Sequence, residues 1–329
     1  MNKSAAEHAT DGGNFRSPAG IVYFRCVNVR IALQHAVAQL ETARVPSYGL
    51  AAELLLQHAL ERDRAWLYAH PEEEVAEPAA ENFFRMVERR AAGTPTQYLT
   101  GKQEFWGIEF SVAPGVLIPR PETEHVVEVA LERLKPKRQP QKSDLSLRRE
   151  RVGRPLRIVD VGTGSGCLAV ALAREVPQAR VWATDISRAA LAIAWRNSVR
   201  YDLEAQIEFL EASLLTPFLL GGEAENAVPF DLIVSNPPYV ARSEFEGLAR
   251  ELREHEPKEA LLAGDTGLEL YRPLIRQAEK VLAPSGALVL EVGAGQAAEV
   301  RALLGEGWSD ISVTNDLAGI QRVVSAVRG

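Results

Sequence analysis

The chain has only two cysteines, Cys26 and Cys167, among its 329 residues. That rules out a disulfide framework or a cysteine-based metal site, and Cys167 reads as a buried helix residue. The six histidines fall at no ligand spacing and read as surface or packing residues. No Ser/His/Asp nucleophile set can be assembled from the chain, and no metal is expected. No apolar run approaches the roughly 20 residues that a membrane span needs. The first residues lack the apolar core of a signal peptide. An excess of positive charge is missing too: the formal net charge is −7. That argues against broad, sequence-independent binding to nucleic acid. A cytoplasmic protein with no membrane partner is the expectation, and a chain this long favours two domains over one.

What is present concentrates in two loops. The run Phe230-Asp231-Leu232-Ile233-Val234-Ser235 reads as a buried parallel strand, with Asn236-Pro237-Pro238-Tyr239 directly after it. The tetrapeptide therefore lies at the carboxyl end of a strand, where open α/β sheets hold their ligands. Its residues suit the holding of a planar NH2 group. The Asn236 amide oxygen can accept one N–H, and a carbonyl freed by the two prolines can accept the other. The Tyr239 ring can lie flat on such a group. Two adjacent prolines can also do no more than turn the chain.

The run Arg157-Ile158-Val159-Asp160-Val161 is a second strand, followed by Gly162-Thr163-Gly164-Ser165-Gly166 and a helix from Cys167 to Ala173. Strand, glycine turn and helix in that order form a ligand-binding crossover. The next strand, Ala179 to Thr184, ends at Asp185. An acidic residue roughly 20 positions past the turn is placed to bind ribose hydroxyls. A glycine turn alone fits NAD, FAD or S-adenosylmethionine, and many such turns are only structural. Here the spacing is Gly-x-Gly-x-Gly, without the further glycine of a pyrophosphate binder and without a Walker lysine. Together with an amine-holding loop on the fourth strand, this pattern fits S-adenosylmethionine best.

At this point the chain resembles the protein-(glutamine-N5) methyltransferases that modify peptide chain release factors. The resemblance runs from about Val27 to the C-terminus. It is carried by Gln97-Tyr98-Leu99-Thr100-Gly101, Glu104-Phe105-Trp106 and Leu117-Ile118-Pro119-Arg120-Pro121-Glu122-Thr123-Glu124, then by Asp160 to Gly164, Asp185, Asn236 to Tyr239, Glu256-Pro257 and Glu291-Val292-Gly293. The Asn-Pro-Pro-Tyr element is shared with DNA adenine and RNA guanine methyltransferases. The segment from Leu117 to Glu124 is much more specific.

The resemblance implies an α/β fold of the class I S-adenosylmethionine-dependent methyltransferase type. That is a Rossmann-like, mostly parallel seven-stranded sheet with one antiparallel edge strand, preceded by a small helical bundle. It implies methylation of the glutamine of a release factor's Gly-Gly-Gln motif, with that side-chain amide on Asn236 and the Pro237 carbonyl, against Pro238 and Tyr239. Asp160, Val161, Gly162, Thr163 and Gly164 would hold the methionine end of the cofactor and Asp185 its ribose. Leu214 would pack on the adenine, and Asn236 would lie between cofactor and substrate. One departure stands out. Where the family often carries an aspartate after the third strand, this chain has Ala212-Ser213-Leu214, which puts a contact to the adenine amine in question. The loop Gly221 to Asn226 also looks longer than usual.

Along the chain, residues 1–26 read as a disordered extension and 27–92 as a helical, substrate-recognising domain. Val29, Leu33, Val37 and Leu40 step at helical spacing, and Ser47 is a candidate N-cap for a helix from Leu50 to Leu60. Further helical turns are expected over Asp63 to His70 and Glu81 to Arg90. Residues 93–121 read as hairpin and linker, with a helix from Glu122 to about Leu134. The methyltransferase domain is expected over 122–329, with an exposed basic insertion at about 135–154. That insertion reads as solvated rather than as a nucleic-acid arm. Strands are expected near 157, 180, 207, 231, 287, 310 and 323. The last two are separated only by Asn315 to Gly319, so they should pair antiparallel at the sheet edge.

Arg120 could orient a ligand or tie the interdomain segment to the Glu122 helix. Phe105-Trp106 could be core or pocket wall, Glu256-Pro257 ends a helix, and Glu291 has no role derivable from sequence. Two other functions compete: an amino-group methyltransferase acting on adenine or guanine of nucleic acid, and a non-catalytic binding module. The first would want an added recognition domain or a strong basic patch. The second would want Asn236 or the glycines missing.

Overall fold

The computed structural model describes residues 14–16, 22–24, 27–135, 154–219 and 229–329. The chain divides into two compact units, Met1–Thr100 and Gly101–Gly329. Within residues 1–26, Asn14–Arg16 pairs antiparallel with Val22–Phe24; the rest of that stretch lies outside the described residues. So do the basic insertion from 136 to 153 and the loop from 220 to 228.

The first unit is a helical bundle. Helix α1 (Val29–Thr42) starts at Asn28, whose Oδ1 accepts from the Ile31 amide at 2.9 Å. That satisfies one of the unpaired N–H groups of the first turn. Helix α1 buries Val29, Ala32, Ala36 and Leu40, a single stripe at helical spacing. Helix α2 (Tyr48–Leu60) adds Ala51, Ala52, Leu55 and Leu56. Helix α3 (Arg64–Ala69) is capped by Asp63, which accepts from the Trp66 amide at 2.7 Å. Helix α4 (Glu77–Ala91) contributes Phe83, Phe84, Met86 and Val87 to the same core. Two sequence expectations need correction. Ser47 precedes α2 but sits at φ 50° and makes no side-chain cap. Helix α4 begins earlier than Glu81 because Pro78, lacking an N–H, is tolerated in a first turn.

The second unit opens with a hairpin, Lys102–Phe105 paired with Ile108–Ser111. A 3-10 turn, Pro121–Thr123, leads into helix α5 (Glu124–Leu134). Seven strands then form one sheet: β1 (Arg157–Val161), β2 (Arg180–Asp185), β3 (Ile207–Glu211), β4 (Phe230–Ser235), β5 (Leu282–Glu291), β6 (Trp308–Asn315) and β7 (Gln321–Arg328). Their order is β6-β7-β5-β4-β1-β2-β3. Strands β6 and β7 form the expected antiparallel pair at one edge. The reversed strand is β7, which lies inside β6 and runs antiparallel to β5 as well.

Both faces of the sheet are covered. Ile158, Leu232, Val234 and Val289 enter one core with α5 and helix α6 (Cys167–Glu175). Val159, Val161, Ile233 and Leu288 enter the other with helix α8 (Tyr271–Val281); helix α7 (Arg188–Arg200) lies between them in sequence. Alternate residues of each strand thus feed opposite cores, which is why β1 and β4 read as unbroken buried runs. Cutting a side chain such as Leu232 back to alanine would cost about 2–5 kcal/mol. The one charge inside β4, Asp231, is held by Arg154 through two bonds of 2.8 Å and by the Arg157 amide at 3.0 Å. Among the described residues, no helix is long and apolar enough to cross a membrane.

Candidate active site

Strand β1 lies between β2 and β4, and the chain's direction of winding reverses there. Val161 at the end of β1 pairs with Thr184 on one side and Ser235 on the other. The two loops singled out in the sequence therefore leave neighbouring strands at the same edge, beside the topological switch point.

The glycine turn is shaped by backbone and by carboxylates nearby in sequence. Gly162 and Gly164 take φ 72° and 57°, and a Cβ at either would meet nothing within 4 Å. That space is open to a ligand, and the positive φ is what requires glycine. Gly166 differs: a Cβ there would stand 3.0 Å from the Ala194 Cβ, so close packing against α7 requires it. Asp160 is wholly buried. Its Oδ2 accepts from the Thr163 hydroxyl at 2.6 Å and the Ala169 amide at 3.2 Å, and its Oδ1 has no partner. Burial pushes its carboxyl up to about 7, against the two hydrogen bonds and with a small push from Asp185. Asp185 at the end of β2 accepts from the Gly164 amide and the Ser187 amide, both at 2.9 Å. The acid thus braces the turn while each oxygen keeps capacity to accept again.

Leu214 lies in the loop after β3 at φ 55°, half-buried, with its carbonyl taken by the Thr184 hydroxyl at 3.1 Å. Ser213 is exposed. Ile186, next to Asp185, is 62% exposed. The sequence did not single out Ile186, an exposed apolar residue directly after Asp185.

The second loop is built from distant parts of the chain. The Ser235 hydroxyl donates to the Val161 carbonyl at 2.7 Å, tying the two strand ends together. The Asn236 Nδ2 donates to the Thr123 hydroxyl at 3.1 Å. Among the described residues no donor takes the Asn236 Oδ1 or the Pro237 carbonyl. Pro237 is buried and Pro238 is half-buried. The Tyr239 carbonyl accepts from Gln296 Nε2 at 2.9 Å. A Cβ on Gly293 would stand 3.1 Å from the Tyr239 ring, and one on Gly267 would stand 2.4 Å from the Tyr239 carbonyl. Burial pushes the Tyr239 hydroxyl up to about 12, with Glu291 adding to the rise, so it stays neutral. Glu291, at the end of β5, is buried and pushed up to about 7; Thr123, Arg322 and Arg120 oppose that rise and Glu122 adds to it.

Arg120 is ion-paired with Glu256, which also accepts from the Ile118 amide at 3.2 Å. The tie it makes is to Glu256 rather than to the helix after Glu122. Helix Arg250–His255 ends where Glu256-Pro257 was expected to end one. Phe105 is core, while Trp106 sits in the hairpin turn and donates to Glu175 at 2.9 Å. Cys167 is buried, and that burial pushes its thiol up to about 12.

Comparison with known proteins agrees with this architecture. The PrmC N-terminal domain matches residues 32–101, and the methyltransferase small domain matches residues 146–316. The protein is thus a methyltransferase enzyme, with a helical bundle in its first unit and a seven-stranded sheet in its second. The release factor glutamine methyltransferase of Koribacter versatilis is 41% identical over 298 residues, covering 91% of this chain and 98% of that protein. That of Nitratidesulfovibrio vulgaris is 40% identical, covering 90% and 94%. That of Xylella fastidiosa is 43% identical, covering 83% and 90%. The chain belongs to the release factor glutamine methyltransferase family. A more distant likeness is to the T. thermophilus 16S rRNA N2 G1207 methyltransferase, with TM-score 0.45, 19% identity and coverage of 69% of this chain and 50% of that one.

Proposed function

We propose that this protein transfers a methyl group from S-adenosylmethionine to the side-chain amide nitrogen of the glutamine in the Gly-Gly-Gln motif of peptide chain release factors. The substrate class follows the names of its relatives. The observation that carries the chemistry is the polarity of Asn236. Its NH2 end is taken by Thr123, so its oxygen is the end left to accept. With the Pro237 carbonyl it forms a pair of acceptors, matched to the two N–H bonds of one primary amide. Holding both hydrogens fixes the nitrogen's lone pair in one direction. Tyr239 packs on the amide plane, and Pro238 lines the same turn. An amide nitrogen is a poor nucleophile, so orientation supplies most of the rate. No general base is needed, because the methylated nitrogen can lose its proton afterwards to water.

The residues fit the cofactor. Asp160 offers a buried, unpartnered oxygen, and Gly162 and Gly164 leave room where a side chain would stand. These, with Val161 and Thr163, would receive the methionine end. Asp185 would take the ribose, while Leu214 and Ile186 would offer apolar surface to the adenine. When bound, S-adenosylmethionine supplies a methyl group made electrophilic by its sulfonium. Recognition of the protein substrate falls to the helical unit, whose α2 exposes Leu50 and Leu54 one turn apart. The cytoplasm is the proposed site of action.

The test is mass spectrometry of a release factor incubated with the protein and S-adenosylmethionine. The expected product carries one added methyl on the motif glutamine. A methylated nucleic acid and an unmodified release factor would refute the assignment.

A further inference from the structure

We infer that Gln296 is the positioning residue that sets the Tyr239 ring, by replacing the sheet ladder that the two prolines interrupt; the inference rests on the reading of Tyr239 given above. Strands β4 and β5 keep parallel register up to Ser235 and Leu290. Pro237 and Pro238 have no N–H, so they can donate no further bond to a neighbouring strand. Tyr239 comes directly after that gap. A ring packed on an amide plane helps the transfer only while it is held in place, and a displacement of about 1 Å can cost roughly a hundredfold in rate.

Gln296 spans the gap with both ends of its side-chain amide. Its Oε1 accepts from the Gly293 amide at 3.1 Å, and its Nε2 donates to the Tyr239 carbonyl at 2.9 Å. The partners fix which end is which, because a backbone N–H only donates and a backbone carbonyl only accepts. The side-chain amide thus stands in for a missing peptide unit. Gln296 is itself fixed. Its main-chain N–H donates to the Gly293 carbonyl at 3.1 Å, and its own carbonyl accepts from the Val300 amide at 3.0 Å as the short helix Ala297–Ala302 begins.

Two glycines leave the room that this arrangement needs. A Cβ on Gly293 would stand 2.7 Å from the Gln296 Oε1 and 3.1 Å from the Tyr239 ring. A Cβ on Gly267 would stand 2.4 Å from the Tyr239 carbonyl oxygen and 2.6 Å from the Gln296 Nε2. Glycine is therefore required on both sides of this bridge. Gly267 follows a turn held by Glu269, whose Oε1 accepts from the Asp265 and Thr266 amides, both at 2.8 Å. Gly293 bears on the ring, and Gly267 and Gln296 bear on the carbonyl. Gln296 does its work on Tyr239 and is not required to touch the reacting atoms.

The experiment uses the full-length protein with a release factor as substrate. It measures methyl transfer at saturating cofactor and saturating release factor, KM for the release factor, cofactor affinity by calorimetry and thermal melting. Gln296→Met keeps the length of the side chain and removes both bonds. It should slow transfer roughly tenfold to a hundredfold. KM and cofactor affinity should each stay within about twofold. Gln296→Glu keeps an acceptor for Gly293 but puts an oxygen against the Tyr239 carbonyl, so it should be slowed as well. The decisive variant is Gln296→Met combined with Tyr239→Ala. It should be no more than about twofold slower than Tyr239→Ala alone, because the glutamine acts through the ring.

A parent rate for Gln296→Met would overturn the inference. So would a slowing by the same factor whether or not the Tyr239 ring is present, which would mark a general structural role. If Tyr239→Ala is slow while Gln296→Met is not, only this inference falls. If Tyr239→Ala runs at the parent rate, the reading of Tyr239 falls and this inference with it. Should Gln296→Met fail to fold, Gln296→Glu with Tyr239→Ala completes the same cycle.

Discussion

The turn after β1 and the turn after β4 stand side by side and are held in different ways. The first is fixed by residues close in sequence: Asp160 bonds Thr163 and Ala169, and Asp185 bonds Gly164 and Ser187. The second is fixed from afar, by Thr123 before the sheet begins and by Gln296 beyond β5. A locally braced loop can offer a fixed shape and a fixed set of amides. A loop braced by several distant segments can also be given a polarity, which the amide chemistry needs. On this account, damage to the first turn appears in cofactor affinity and damage to the second in turnover.

On the side of the first turn, the largest separation should come from Asp185→Ala. It removes a charged acceptor and frees the Gly164 amide, for a loss of about 1–3 kcal/mol, or roughly tenfold to a hundredfold in cofactor affinity. Turnover at saturating cofactor should change far less. Unchanged affinity by calorimetry would remove the ribose assignment, and tight NAD binding by the parent would remove the cofactor.

Next in size is a contrast within the first turn. Gly162→Ala should cost about 1–2 kcal/mol for its positive φ alone. Gly166→Ala carries the same strain and also drives a methyl to 3.0 Å from the Ala194 side chain. Urea unfolding should find Gly166→Ala the less stable of the two. Equal stabilities would mean that helix packing does not set that glycine.

A smaller effect is expected on the helical unit. Replacing Leu50 and Leu54 together by serine should raise KM for an intact release factor several-fold, a loss of about 1 kcal/mol. Cofactor affinity should be untouched. An unaltered KM would move recognition off this face.

A last effect is on stability against pH. Glu291 titrates near 7 in the fold against an ordinary 4.5. A raised folded-state value means that the folded protein holds the proton more tightly than the unfolded chain does. Its stabilising contribution is therefore full below the unfolded value and is lost as pH rises through about 7. Burial drives the rise, opposed by Thr123, Arg322 and Arg120 and supported by Glu122. Melting of the cofactor-free protein should thus show the parent losing more stability than Glu291→Gln between about pH 5 and pH 8. Parallel curves would show that Glu291 does not titrate in this window.

The fold was largely legible: β1 and β4 read as buried runs bounded by turn residues, and all seven strands lie at or near the expected positions. The glycine turn was legible for the reason that it is locally braced: strand, glycines, helix and acid follow one another within a short stretch. The second loop was legible only in part. Asn236 and its prolines announce an acceptor pair, but the partner that orients the amide lies more than a hundred positions away, inside a segment notable for its resemblance rather than its chemistry. Glu291 was noticed, but its place beside the end of β4 follows only once the strands are in register. Ser47 shows the opposite failure: a good capping residue whose backbone is committed to a left-handed turn.

The central claim is that Asn236 acts as an acceptor of the substrate's N–H bonds. It is tested most directly by comparing single-turnover transfer in Asn236→Ala and Asn236→Asp at saturating cofactor. Alanine removes one of two acceptors and should slow transfer by about a hundredfold or more. Aspartate keeps the shape and an acceptor oxygen, so it should recover a large part of that loss. A near-parent rate in Asn236→Ala would make Asn236 a turn residue and contradict the account.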